Sequence, residues 1–152
     1  MRKKLYVILA ALILVAVSTV GCGGGTEATT ESTPVTGDVT LQIKYDEFLD
    51  LKNITKQVEV VSQNKLIVKL GANHATGFEW VADAVISDTS VITQSAQEYV
   101  PPKGIGVGVP GDEVFTFDTL KAGTTELSFE ASRTWVNGPK GEWTCKITVV
   151  VK

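Results

Sequence analysis

Three side chains in this 152-residue chain carry the chemistry of a reactive site: His74, its only histidine, and the two cysteines Cys22 and Cys145. A thiol beside an imidazole is the pairing of a covalent nucleophile with its base. The sequence pattern argues against that pairing here. In Trp143-Thr144-Cys145-Lys146-Ile147-Thr148-Val149 the alternation puts Cys145 on one face with Trp143, Ile147 and Val149, so its thiol is expected to be buried and inert. His74 lies instead in the polar, glycine-containing stretch NHATGFEW, residues 73–80. No paired-carboxylate motif, phosphate-cradling lysine loop or metal-spaced cluster accompanies either residue, so no catalysis and no cofactor is expected. Recognition chemistry is better represented. Arg133 and Trp135 are two apart, on one face if extended, and are the residue types that most often dominate binding energy. The same two side chains could instead close their own loop as a cation–π pair.

The elements that hold these residues follow from a period of two. From residue 39 onward the chain is about 114 residues, one domain's worth. Val39, Leu41 and Ile43 alternate with polar residues, and Val58 and Val60 do the same. Leu66, Val68 and Leu70 share a face, as do Phe115 and Phe117, and Leu127, Phe129 and Ala131 follow with Glu126, Ser128 and Glu130 pointing away. Turn signals at residues 62–64, 121–123 and 137–141 separate the runs. Short strands at that spacing, without helical crossovers, predict an all-β antiparallel sandwich or barrel. Residues 46–53, with Tyr45, form a short helix or an irregular crossing in this reading. Residues 81–95 give a less clean pattern, a strand with loops. Trp80 begins a strand and is assigned to the core.

Three loop motifs then carry a resemblance. Asn73, Thr76, Gly77, Phe78 and Trp80 fit Asn-x-x-Thr-Gly-Phe-x-Trp, Gly108-Val109-Pro110-Gly111 approximates Gly-x-Gly-Gly, and Arg133-Thr134-Trp135 approximates Arg-Pro-Trp. In this order they resemble the loops of the chagasin family, inhibitors of papain-like cysteine proteases, over about residues 54–152. The resemblance implies an immunoglobulin-like β-sandwich or barrel whose three loops cluster at one end. It also implies reversible, non-covalent occlusion of a protease cleft by a monomer. The central loop would be Asn73, His74, Ala75, Thr76, Gly77 and Phe78. Gly77 would supply a positive φ or a close backbone approach, Thr76 a hydroxyl for the catalytic dyad, and Asn73 side-chain bonds that hold the loop closed. Phe78 can belong to either the contact or the core. The glycine-rich loop would offer Ile105 or Val107 to an apolar pocket, with Gly108, Val109, Pro110 and Gly111 along the cleft. Arg133, Thr134 and Trp135 would grip the other side.

Each motif departs from the family pattern. His74 stands for the usual proline, Ala75 for the first of two threonines, Pro110 for a glycine and Thr134 for the central proline of the third loop. Losing two loop prolines raises the entropy of the free loops by about 0.4 to 1 kcal/mol each. Pro110 removes a backbone donor and stiffens its loop. His74 either makes binding pH-dependent or is a solvated loop histidine without a role.

The start of the chain reads as an export signal. Arg2, Lys3 and Lys4 precede an apolar run over residues 5–17, which has the length of a secretory core and is too short to span a membrane. Ser18-Thr19-Val20-Gly21-Cys22 resembles the lipobox of prokaryotic lipoproteins, which makes Cys22 the expected lipid-bearing residue, on the outer face of a cell membrane. Thr19 departs from the usual branched aliphatic. Cleavage after Ser18, giving a freely secreted protein, and an uncleaved anchor are the alternatives, and all three export the domain. Residues 22–38, rich in Gly, Thr, Ser and Glu, form a flexible linker, and residues 39–152 form the inhibitor domain. Residues 1–21 hold three of the 14 basic residues and none of the 17 acids, so the mature chain is near −6, which argues against a nucleic-acid partner. A tethered immunoglobulin-like module binding another protein or a carbohydrate through the same loops is the rival function.

Overall fold

The computed structural model describes residues 37–152 apart from Ile105, Val107, Thr134, Val136 and Pro139. The signal segment, Cys22 and the tether as far as residue 36 lie outside the described residues.

The strands are β1 Val39–Ile43, β2 Asn53–Val60, β3 Lys65–Ala72, β4 Phe78–Trp80, β5 Val85–Ile86, β6 Ile92–Val100, β7 Gly111–Thr119, β8 Gly123–Arg133 and β9 Trp143–Val151; the single described α-helix, α1, is Tyr45–Leu51. One sheet has the order β1-β3-β7-β6, and the other has β2-β9-β8-β4 with β5 also on β8. Inward rows from both sheets make the core between them. Leu66, Val68, Leu70, Phe115 and Phe117 face Leu127, Phe129, Ile147 and Val149, all nearly or fully buried. Phe129 packs edge-on against Phe115 at 4.9 Å and Phe117 at 6.1 Å, which locks one sheet to the other. The fold is the all-β sandwich that the alternation predicts.

It is not purely antiparallel. β1 runs parallel to β3 and β2 parallel to β9. The cause is the crossing after β1: α1 carries the chain from the edge of one sheet to the edge of the other, so each edge strand enters beside a neighbour pointing the same way. In α1, Glu47 accepts a hydrogen bond from the Lys44 backbone N–H at 3.1 Å, and that bond is the main reason its carboxyl sits below the usual range. Asp46 and Glu47 occupy the first turn, where the helix dipole favours negative charge.

One residue anchors the helix. Phe48 is fully buried and lies 4.9 Å from the Trp80 ring and 5.8 Å from the Trp143 ring. Opposite the helix start, a Cβ on Gly71 would stand 2.1 Å from the Tyr45 nitrogen, so only glycine lets β3 pass this close. The Trp80 indole N–H donates to the Gly71 carbonyl at 3.2 Å. Trp80 is core, as the sequence indicates.

Cys145 is fully buried between Trp143 and Ile147 on β9, and loss of hydration pushes its thiol up to about 12. At pH 8 Cys145 of the native chain should therefore not react with a thiol reagent, whereas denaturant should make it reactive, as peptide mapping of the labelled chain would show. Phe48→Ala should cost about 3 to 5 kcal/mol of unfolding free energy in a denaturant titration, because it empties a site walled by two tryptophans.

Candidate functional site

Strand register brings three connections to one end of the sandwich. β3 leaves its pairing with β7 at Ala72↔Gly111, and β6 meets β7 at Val100↔Asp112, so residues 73–77 and 101–110 emerge side by side. In the other sheet β4 pairs Phe78 with Arg133, and β8 pairs Ala131 with Trp143. The connection over residues 134–142 therefore leaves from the same end. α1 closes that end from beneath.

The central loop is a compact turn. Residues 74–76 form a 3₁₀ helix closed by Thr76 N–H to the Asn73 carbonyl at 3.0 Å and Gly77 N–H to the His74 carbonyl at 3.1 Å. Asn73 is 6 % exposed, and its Oδ1 accepts from Ala75 N–H at 3.2 Å. The Thr76 hydroxyl donates to the Asn73 carbonyl at 2.7 Å, so its proton is spent inside the loop and its lone pairs remain for a partner. Gly77 ends the turn at φ +72, a left-handed conformation that suits glycine.

Each flanking loop is fastened to this turn. The Asn73 amide donates to the Gly108 carbonyl at 2.8 Å, joining the central loop to the glycine-rich one. A Cβ on Gly77 would fall 2.3 Å from Trp135 Cζ3, so the turn presses against the third loop's indole with no room between them. The third loop is closed by Gly138 N–H to the Trp135 carbonyl at 2.9 Å and by Gly141 N–H to the Ser132 hydroxyl at 3.0 Å. Arg133 sets its guanidinium carbon 4.5 Å from the Phe78 ring centroid and 4.9 Å from that of Trp135. Among the described residues Arg133 makes no ion pair, and its Nε is the buried side-chain polar atom without a hydrogen-bond partner.

The site residues named from the sequence fall into two layers. His74, Ala75, Thr76, Gly108, Val109 and Trp135 are exposed, with Trp135 at 46 % and Val109 at 41 %. Asn73, Phe78 and Gly111 are buried and hold the loops from below. Phe78 is not on the rim: it is 6 % exposed and stacks on Trp143 at 5.0 Å and 7°, because the first and third residues of β4 both point inward. Gly77, Pro110 and Arg133 are intermediate. Ile105, Val107 and Thr134 lie outside the described residues. Both alternatives for Arg133 and Trp135 have a physical basis, since the cation–π contact forms and the indole stays exposed.

Sequence reasoning missed the residues beside His74. Its ring stacks on Tyr99 of β6 at 3.8 Å and 19°, and its Nε2 lies 3.2 Å from Glu113 Oε2 on β7. A signal was available, because Glu113 continues the inward row of Phe115 and Phe117. A carboxylate in a core row needs a partner. Cys145 and His74 sit on separate elements, the thiol sealed in the core, and they form no nucleophile–base pair.

Comparison with known proteins agrees with this arrangement. Residues 59–149 match the family model described as Chagasin family peptidase inhibitor I42. Among solved structures, the chain is similar to the crystal structure of the cysteine protease inhibitor EhICP2 from Entamoeba histolytica, with a TM-score of 0.56 and 20% identity, covering 76% of this chain and 97% of that one. It is similar also to PbICP-C, solved in complex with falcipain-2, with a TM-score of 0.55 and 14% identity over 76% of this chain and 99% of that one. At these identities the likeness shows the fold alone. No curated protein sequence matches the chain. With most of its sandwich spanned by the family model, the chain belongs to the chagasin family of peptidase inhibitors.

Proposed function

We propose that this chain is a reversible, non-covalent inhibitor of papain-family cysteine peptidases that fills the active-site cleft with the three loops of one pole. The observation that carries the reading is their mutual fastening, Asn73 to Gly108 on one side and Gly77 to Trp135 on the other. Family membership supports the target class, and so do the printed descriptions of EhICP2 as a cysteine protease inhibitor and of PbICP-C as a partner of falcipain-2.

The central turn enters the cleft, with the glycine-rich loop along one side and the third loop along the other. Its backbone N–H groups at Ala75, Thr76 and Gly77 are already bonded within the loop, so little conformational freedom remains to be lost on binding. A closed 3₁₀ turn also offers no extended peptide for a nucleophile to attack. The turn plugs the site and is not cut. Trp135 supplies exposed apolar area, and Arg133, steadied by two rings, supplies donors to a carbonyl or carboxylate of the protease. An interface of about 800 Å² per partner would suit one monomer on one protease. Attachment through a lipid on Cys22 would hold this pole outside the cell on its tether, or the chain would be released.

Titration of papain with the chain should abolish its activity stoichiometrically while leaving a serine protease untouched; inhibition of neither, or of both, would refute the target class. Trp135→Ala and Arg133→Ala should each weaken papain binding by about 1 to 4 kcal/mol with the far-ultraviolet spectrum unchanged. Full inhibition by both variants would remove the third loop from the contact. For the anchor, the chain expressed in a lipoprotein-processing bacterium should partition into the detergent phase, and Cys22→Ser should move it to the aqueous phase. Equal partitioning of the two would dismiss lipidation at Cys22.

A further inference from the structure

We propose that Glu113 is a buried positioning residue that, acting through His74, holds the inhibitory turn in the form that meets the protease. The proposal rests on the inhibitor reading above and goes beyond it.

Glu113 occupies an inward position of β7, in row with Phe115 and Phe117, yet it is a carboxylate only 6 % exposed. Burying such a group is costly unless it is partnered. Two side chains partner it. Gln97 of β6 donates its amide to Oε1 at 2.7 Å, and the His74 imidazole reaches Oε2 at 3.2 Å. His74 is itself seated on the Tyr99 ring at 3.8 Å. Thus a side chain from the tip of the central turn is held by β6 and β7, the two strands from whose ends the glycine-rich loop departs. The same residue lends its carbonyl to Gly77 N–H, so fixing His74 fixes the turn.

A cleft of about 360 Å³ beside the clamp is lined by His74, Glu113, Glu79 of β4, Arg133 of β8 and Lys140 of the third loop. Of its two carboxylates only Glu113 lies within ion-pair distance of the imidazole.

A better fixed turn loses less freedom on binding, so the bond between His74 and Glu113 raises affinity although Glu113 itself lies beneath the contact surface.

The test is the papain inhibition constant of the full chain, measured for the wild type, His74→Gln, Glu113→Gln and the double variant. Each single variant should be about 3- to 10-fold weaker than wild type. The double variant should be no weaker than either single one, because they remove the same contact. Single variants that inhibit as well as the wild type, or effects that simply multiply, would overturn the clamp while leaving the inhibitor reading in place. No inhibition of papain by the wild type would overturn both. The free chain gives a second readout, since its lone histidine has one set of imidazole resonances: in Glu113→Gln these should move from their wild-type chemical shifts. Unchanged shifts would overturn the clamp whatever the protease does.

Discussion

A column of packed planar groups runs from the interior of this sandwich to the exposed rim of its three-loop pole. Trp143 lies in the core, Phe78 stacks on it, the Arg133 guanidinium lies against Phe78, and the exposed Trp135 indole lies against the same guanidinium. The rest of the pole depends on this column. Phe48 and Tyr45 of α1 pack on Trp143 from below, so the helix crossing that makes the sheets mixed also supports the column. Gly77 has room for a hydrogen and nothing more because Trp135 is held where it is. Rigidity passes from a close-packed core to residues that are themselves exposed.

In the proposed inhibitor, that rigidity lets a β-sandwich occlude a cleft without covalent chemistry. Ordering loops on binding is costly, and the cost is largely met here during folding. The central turn is held at His74 by side-chain contacts, a ring stack on Tyr99 and a bond to Glu113.

Much of the architecture was legible in the alternation of side chains. Period two identified the inward rows of β3, β7, β8 and β9, and with them the burial of Cys145 and Trp80. The crossing at residues 45–51 was legible because its acidic first turn and spaced apolar residues break that period. The pairing direction of β1 and β2 was not, since alternation tells which face a residue takes and not which neighbour its strand meets. Residues 81–95 were blurred for a local reason: β5 is two residues long, and β6 carries a register shift between Gln94 and Ala96 that reverses the alternation midway. Within the site, the turn chemistry of Asn73 and Gly77 follows from residue type. The burial of Phe78 and the clamp on His74 do not, because each depends on partners far along the chain, Trp143 in one case and Tyr99 with Glu113 in the other.

The central claim is that one pole of the molecule, and no other surface, meets the protease. Amide hydrogen exchange of the chain, free and saturated with papain, measures that directly. Slowed exchange on binding should be confined to residues 73–77, 101–110 and 134–141, with the outer faces of both sheets unchanged. Protection on an outer sheet face or at the turn over residues 61–64, with none in these three loops, would contradict it.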